Sequence, residues 1–432
     1  MAKTKSPIGT QQILLHPDKE TEAILVYLCQ QSGKLYNMGI YLARQIFFKT
    51  GKLLTGKFDL LYERSVGKSM IAKSLPSTPA QQTLLSVAEA FKSYKGLRSL
   101  WFKGDMKDRP SPPKYLKGSK LFKVAYPNSG GQKPKVKEGQ VVFSLGLTVR
   151  RWFGVRSFSL PFPSNLEGRK IKEWTILPLN GAFYLEVSYE IPNQTPVQQD
   201  SNEALSIDLG TSSNLAACVD TLGNSFLIDS RAMKSYNQYW NKQVATRKEG
   251  KPQSYWDQWL DRVTRKRNHR VKDGINKAAR LIVNHCLKVG IKTIVLGWNE
   301  GFKRNSNMGR LNNQEFVQIP LGKLKDRLSQ LCDLYNIRLE VTEEAYTSKA
   351  SYLDGDSLPK FGEKPDGWKA SGRRVKRGLY RSANKSIINA DLNGSANIMR
   401  KVARKLDLDL SRLGRRSLTT VARIRLWVQA RV

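Results

Sequence analysis

Apolar side chains return at helical intervals from Asp18 to about Lys52, at Leu25, Leu28, Leu35, Met38, Leu42 and Ile46, and predict one long helix. A second helix is predicted in "STPAQQTLLSVAEAFKSYKGLRSLWFKG", with Ser77 or Thr78 as N-cap and Pro79 at the first helical position. Its stripe of Leu84, Ala88, Phe91 and Leu97 reads as packing, and the Lys and Arg beside it as candidates for phosphate contact. From Arg109 the texture changes. "RPSPPKYLKG" breaks the helix; "LFKVAYP", "QVVFSLGLTVRRWFGVRSFSLPFP" and "IKEWTILPLNGAFYLEVSYEIP" then alternate β-branched and aromatic runs with Gly, Pro and Asn, the pattern of a small antiparallel sheet or barrel. "NQTPVQQDSNE", Asn193 to Glu203, has no apolar period and reads as a linker between two domains.

Beyond the linker, "EALSIDLGTSSNLAACVDTLGNSFLIDS" predicts three strands joined by turns. A long helical region from Tyr255 to Val289 carries Ile275, Ala279, Ile282, Val283 and Cys286 on one face. "IKTIVLGW" follows as a strand, "QIPLGKLKDRLSQLCDLYN" as a helix, "IRLEVTEEAYTS" as a strand, and "INADLNGSANIMRK" opens the last helix. Three strands, helix, strand, helix, strand, helix is the order of an RNase H-like fold, so the chain is expected to be an α/β domain preceded by a β-rich one.

Charge changes the picture from fold to partner. Lys and Arg number 73 against 36 Asp and Glu, a formal net charge of +37 spread through most of the length. Such a field suits a polyanion, because self-repulsion on this scale costs stability unless a partner screens it. Arg262, Arg265, Lys266, Arg267, Arg270 and Lys272 crowd the first half of the long helical region, and their uniform sign favours phosphate contact over a merely solvated face. No run of about 18 apolar residues is present to span a bilayer, and the opening "MAKTKSPIGTQQ" lacks the apolar core of a signal peptide, so the chain reads as cytoplasmic. Cys29, Cys218, Cys286 and Cys332 form no CxxC pair and His16, His269 and His285 no cluster; neither a zinc ribbon nor a disulfide framework is signalled. Cys218 and Cys286 read as small core residues, and His285 as a packed or exposed helix residue.

Metal chemistry therefore falls to carboxylates, and two stand out. Asp208 ends the apolar segment of the first strand, where a buried acid is costly unless something positive compensates it; a salt-bridged core Asp or a turn former are the bland readings. Asp391 sits where the last helix begins, as a metal ligand or as a plain N-cap, with Asn393 and Asn397 four apart on one face and placed for hydrogen bonds. In an RNase H-like fold the first strand, the fourth strand and the last helix converge, so these distant acids can meet. Three or so clustered carboxylates can hold two divalent cations about 3.5–4 Å apart for phosphodiester hydrolysis, and hard oxygen ligands suit Mg2+.

The motifs together resemble the TnpB family of transposon-encoded RNA-guided DNA nucleases, relatives of type V CRISPR effectors. "SIDLG" is similar to the family's first RuvC-like motif, "NADLNGSANI" to its third, "LPSTPAQQTLLSVAEAFKSY" to its N-terminal helical signature, and "AYTSK" to the segment before its zinc-binding insert. The resemblance implies a wedge-type β-barrel (1–20 and 112–195) interrupted by a helical recognition lobe (21–111). A RuvC-like nuclease domain (203–345 and 386–405), an insert (346–385) and a basic tail (406–432) would follow. It also implies a guide RNA from the transposon end, double-stranded target DNA, two Mg2+ ions or Mn2+ in their place, and a prokaryotic, nucleoid-associated setting. The tail is expected to be a helix contacting RNA or packing on the nuclease domain.

Two departures from the family pattern matter. The insert "KASYLDGDSLPKFGEKPDGWKASGRRVKRGLYRS" has no cysteine, so no zinc is expected; a flexible basic loop near the site is, with Arg373, Arg374, Lys376 and Arg377 facing nucleic acid. In "TIVLGWNE", Gly297 stands where the second motif's acid is usual. The fifth strand lies beside the fourth, about 4.8 Å away, and the missing side chain leaves room for a glutamate from "VTEEAY" to reach the same metal. Glu344 is the choice, Glu343 the reserve because alternation points only one of them inward, and Glu300 a third candidate. The function expected is a metal-dependent, RNA-guided DNA endonuclease using Asp208, Glu344 and Asp391. The alternative is an RNA-guided DNA-binding protein, a repressor or targeting module, whose nuclease is impaired.

Overall fold

Asp18 accepts a hydrogen bond from the Thr21 amide at 2.7 Å and so caps the first long helix, and Gly51, at φ 71°, ends it. The computed structural model describes residues 6–56, 58–117, 121–129, 133–191, 202–210, 213–299, 319–419 and 421–427, and the chain forms two units, Met1–Pro192 and Asn193–Val432.

The first unit runs β1 (Ile8–Leu14), α1 (Lys19–Thr50), α2 (Met70–Lys73), α3 (Ser77–Phe102), β2 (Val124–Pro127), β3 (Lys135–Lys137), β4 (Gln140–Ser144), α4 (Leu147–Phe153), β5 (Ser157–Pro161), β6 (Ile171–Leu179) and β7 (Ala182–Glu190). One antiparallel sheet has the order β1-β7-β6-β2 and a smaller one β3-β4-β5. Leu25, Leu28, Leu35, Leu84 and Phe91 from the helices share a core with Phe143, Trp174 and Leu185 from the sheets. α3 begins at Ser77, slightly earlier than its capping signals suggest. Pro79 then falls inside the first turn, where its missing N–H has no partner to lose. Leu97, assigned to the packed stripe, is instead 44% exposed.

The second unit runs β8 (Ala204–Leu209), β9 (Asn214–Asp220), β10 (Ser225–Asp229), α5 (Arg231–Lys248), α6 (Gln258–Val289), β11 (Thr293–Gly297), α7 (Leu321–Tyr335), β12 (Arg338–Thr342), β13 (Arg373–Lys376), β14 (Leu379–Arg381), β15 (Ile387–Asn389), α8 (Ala390–Leu406), α9 (Arg415–Thr419) and β16 (Ala422–Arg425). Its main sheet has the order β12-β11-β8-β9-β10-β16. β8, β9 and β10 pair antiparallel, while β11 lies parallel to both β8 and β12, the arrangement that the RNase H-like element order leads one to expect. Successive side chains point to opposite faces. Leu205, Ile207, Ile294 and Leu296 pack towards α6 and α7, whereas Ala204 and Val295 pack on Ile398, Met399 and Val402 of α8. The alternation that sends Ile207 one way sends Ser206 and Asp208 to the α8 side.

Several elements differ from the sequence reading, among them α4, a helix inside a run read as strands. α5 was not foreseen: it buries only Met233 and Asn237 and so shows no apolar period. The tail, expected as a helix contacting RNA or packing on the nuclease domain, holds only the short helix α9, whose Leu418 shares a core with Ile388 and Leu392, and then β16, which extends the sheet parallel to β10 from Phe226 opposite Ala422 to Asp229 opposite Arg425. Cys29, Cys218, Cys286 and Cys332 are buried free thiols. No described helix is long and apolar enough to cross a membrane. Most of the expected linker lies outside the described residues.

Candidate active site

α8 approaches β8 closely because its facing residues are small. A Cβ on Gly394 would stand 2.5 Å from Asp208 Oδ2, so any larger residue would displace that carboxylate. At the next residue, the Ser395 and Ser206 hydroxyls are 2.8 Å apart, fixing the helix against the strand. Asn389 is the N-cap, its Oδ1 accepting from the amides of Asp391 and Leu392 at 3.0 Å each. Asp391 is thus not the cap; it sits in the first turn, and both its carboxylate oxygens accept hydrogen bonds from other segments. Asn214 Nδ2 donates to Asp391 Oδ2 at 2.7 Å and Arg374 Nη2 to Oδ1 at 3.2 Å. Arg423 of β16 in turn donates to Asn214 Oδ1 at 2.8 Å. Because a guanidinium only donates, the Asn214 carbonyl must face it, and the amide NH2 is left to face Asp391.

Gly297 closes β11, paired with Thr342 of β12. A Cβ there would stand 2.4 Å from Ile398 Cδ1 and 3.3 Å from Glu344 Oε2, so the Glu344 carboxylate lies against the space that glycine leaves. Asn299 holds it: Nδ2 donates to Glu344 Oε1 at 3.3 Å, and Oδ1 accepts from the Glu344 amide at 3.2 Å. Glu343 points elsewhere. Its carboxylate pairs with Lys401 Nζ at 2.7 Å and accepts from the Phe361 amide at 3.1 Å. Glu300 lies outside the described residues.

The electrostatics separate the two glutamates. Burial lifts Glu344 above the usual carboxylate range. For Glu343 burial acts in the same direction, but the Lys401 and Phe361 hydrogen bonds outweigh it and hold the group low. Asp208 is pushed well above its ordinary value, first by burial, then by the charges of Glu344 and Asp391, with the Arg374 guanidinium opposing them. Among the described residues no three His, Cys, Asp or Glu side chains form a ready-made metal site. The donor set nonetheless suits a hard divalent cation: the charges of Glu344 and Asp391 add to burial in raising the proton affinity of Asp208, glycines at 297 and 394 hold space open beside two of the carboxylates, and the Arg374 cation already sits on the third.

The predicted phosphate contacts divide. Arg262, Lys266 and Lys272 are exposed on α6, and Arg265 is half-buried. Arg267 turns inward, donating to Asn237 Oδ1 at 2.8 Å over the Trp240 ring at 5.3 Å, and burial lowers its pKa. Arg270 lies between Tyr236 and Trp427, 4.6 and 5.0 Å from their centroids. Arg373, Lys376 and Arg377 are exposed, whereas Arg374 reaches Asp391.

The insert is more ordered than the expected loop. β13, β14 and β15 make an antiparallel sheet. Asp356 Oδ2 accepts from the amides of Ser351 at 2.7 Å and Ser371 at 3.0 Å. Asp354 Oδ2 accepts from the Ala383 amide at 2.8 Å and the Ser371 hydroxyl at 3.1 Å. Asn393 and Asn397 do supply hydrogen bonds, and their targets are the insert's first turns: Asn393 Nδ2 to Ala350 O at 2.8 Å, Asn397 Nδ2 to Thr347 O at 2.9 Å. Asn214, Arg423 and Asn299 were missed from the sequence.

Residues 186–301, which include Asp208 and Gly297, match the family model described as a probable transposase (OrfB_IS605). No curated protein matches the chain. Among solved structures, the chain is similar to a Cas12f1–sgRNA–target DNA complex, with 14% identity and a TM-score of 0.58 over 88% of this chain and 83% of that one. At this identity the likeness speaks for the fold alone. The mini-RNA-guided endonuclease CRISPR-Cas_phi3 matches at 11% identity and a TM-score of 0.47, over 95% and 94% of the two chains, too loosely to carry an argument.

Proposed function

We propose, from the TnpB resemblance, the transposase-model match over residues 186–301 and a fold similar to that of the Cas12f1 complex, that the chain is a transposon's RNA-guided DNA endonuclease. Its guide RNA would derive from the transposon end and pair with one strand of double-stranded target DNA, the protein sensing heteroduplex shape. The second unit supplies the RuvC-like domain, from 203–345 and 386–405, with 346–385 as insert and 406–432 as tail. The two sheets of the first unit support a wedge-type barrel over 1–20 and 112–195 around a helical lobe over 21–111. Its setting would be the nucleoid-associated cytoplasm of a prokaryote.

Asp208, Glu344 and Asp391 are the residues that would hold the ions, two Mg2+ or Mn2+, and no zinc is required. When bound, such ions supply an activated water and a stabilised leaving oxygen for phosphodiester hydrolysis. The protein's part is to hold the oxygens still. Asn299 fixes the Glu344 carboxylate, Asn214 fixes that of Asp391, and Gly394 lets α8 close over Asp208. Arg374 donates to Asp391 Oδ1 and would have to leave it for a cation to use that oxygen; its guanidinium would then be placed to meet a scissile phosphate.

The observation that carries this reading is the Glu344 carboxylate beside Gly297. The test is cleavage of matched and mismatched duplex DNA by the protein with its co-purified RNA, in Mg2+ and in Mn2+. RNA-matched nicking that disappears in Asp208→Ala supports the reading. Matched DNA that is bound and never nicked with either ion overturns it in favour of an RNA-guided binding protein.

A further inference from the structure

The C-terminal ends of α1 and α3, with the segment after α3, wall a groove of about 490 Å3 that has no part in the carboxylate site. Phe47 and the buried Tyr94 meet edge to face at its base, 5.8 Å between centroids. Arg98 lies between two rings, 5.5 Å from the Phe47 centroid and 5.1 Å from that of Phe102, while Arg109 lies 5.5 Å over Trp101. Beside the groove, Arg44 spans Phe48 at 5.2 Å and Tyr115 at 5.6 Å. Phe102 is 65% exposed and Phe48 60%, and no acid lines the groove.

A contiguous apolar patch lining a groove marks an interaction site, and the chemistry here narrows the choice of occupant. An apolar protein segment would have to strip water from the guanidinium groups without pairing them, which is costly. A duplex offers phosphates and no free base faces. Unpaired nucleotides supply both: bases stack on aromatic rings and guanidinium planes, and the cations meet the phosphates. The volume falls within the roughly 300–1,000 Å3 range of ring-ligand pockets. Rings left bare call for an occupant that stays, as does a net charge of +37. We propose that this groove binds unpaired nucleotides of the RNA that the protein carries. The inference rests on the proposed function only for that RNA's role as guide; the stacking site stands on its own residues.

The test measures binding of the full-length protein to a fluorescent single-stranded RNA, a DNA of the same sequence and a blunt RNA hairpin whose loop is replaced by a non-nucleotide linker, so that it has no unpaired bases. Phe102→Leu is expected to weaken single-stranded RNA about tenfold, Phe102→Trp to restore it, and neither to change the hairpin. Arg98→Ala with Arg109→Ala should lower the slope of log affinity against log salt by about 1.4, two phosphate contacts on a single strand. Phe102 is exposed, so melting temperatures should match. Single-stranded RNA affinity within twofold of wild type in Phe102→Leu, an equal loss on the hairpin, or a loss confined to the DNA strand overturns the proposal. At saturating RNA the Phe102 variants should still cleave, so a failure here and a failure of the carboxylate site read differently.

Discussion

The Oε2 atom of Glu344 lies 3.3 Å from the point where a Cβ on Gly297 would stand, and Ile398 Cδ1 lies 2.4 Å from it. Glycine leaves both groups in place. Gly297→Asp is expected to destabilise the fold by about 1–3 kcal/mol by overpacking against Ile398 and to set a second carboxylate against the first. If the two strands are interchangeable donors, Gly297→Asp with Glu344→Ala and Ile398→Ala should cleave faster than Glu344→Ala alone. Single-turnover cleavage checks this, and equal rates would count against a relocated acid.

The neighbouring glutamates should behave differently. Glu344→Ala is expected to slow cleavage about a hundredfold or more, roughly 2.7 kcal/mol of barrier, as should Asp391→Ala. Glu343→Ala loses an ion pair with Lys401 and should stay within a few-fold. The reverse order would reassign the ligand.

This contrast shows what a sequence can carry. The order of elements leads one to expect β8, β11 and α8 to converge and β12 to lie next to β11, as it does, since each element is set by local periodicity summed along the chain. The choice between Glu343 and Glu344 rested on alternation, whereas the structure separates them by Lys401 and Asn299, contacts made across 58 and 45 positions. From the sequence Asp391 alone is weighed as the cap, whereas Asn389, two residues earlier and equally able, takes that place. Nothing local announces that Arg423 reaches Asn214, 209 positions away.

That reach yields a prediction of its own. Asn214→Ala removes a donor from Asp391, and Arg423→Ala leaves the Asn214 amide free to turn over. Each should raise the Mg2+ concentration needed for half-maximal cleavage by about 10–100-fold, at an unchanged melting temperature for Arg423→Ala. Arg423→Lys, which can still donate to Oδ1, should recover most of the loss. An unchanged Mg2+ curve would remove Asn214 from the site.

Acid should strengthen the metal-free protein at this point. Asp208 and Glu344 both have folded pKa values raised above the unfolded ones, so their contribution to stability is complete below about pH 4 and is lost as pH rises through the folded values. Asp208→Asn should therefore be more stable than wild type at pH 8 with chelator, by about 1–3 kcal/mol, and no more stable at pH 4. Thermal melts at both pH values with and without Mg2+ decide it: the ion should narrow the gap at pH 8. A variant less stable than wild type at pH 8 with chelator would contradict the assignment.

Asp356 joins two stretches of the insert through the Ser351 and Ser371 amides. Asp356→Ala leaves both without that acceptor and should destabilise the insert by about 1–3 kcal/mol, seen as faster proteolysis between residues 351 and 383. Zinc chelators should leave that proteolysis unchanged.

The carboxylate staples of the insert tie it to different surroundings from those of a thiolate ribbon. Burial pushes the Asp354 carboxyl up, but hydrogen bonds from Ser351, Ala383 and Ser371 outweigh it and hold the group below its ordinary value. An element closed in this way keeps its shape under peroxide or zinc starvation, either of which would unravel a four-cysteine knot. Its weakness moves to strong acid, so a population meeting oxidative stress would retain this part of the molecule intact.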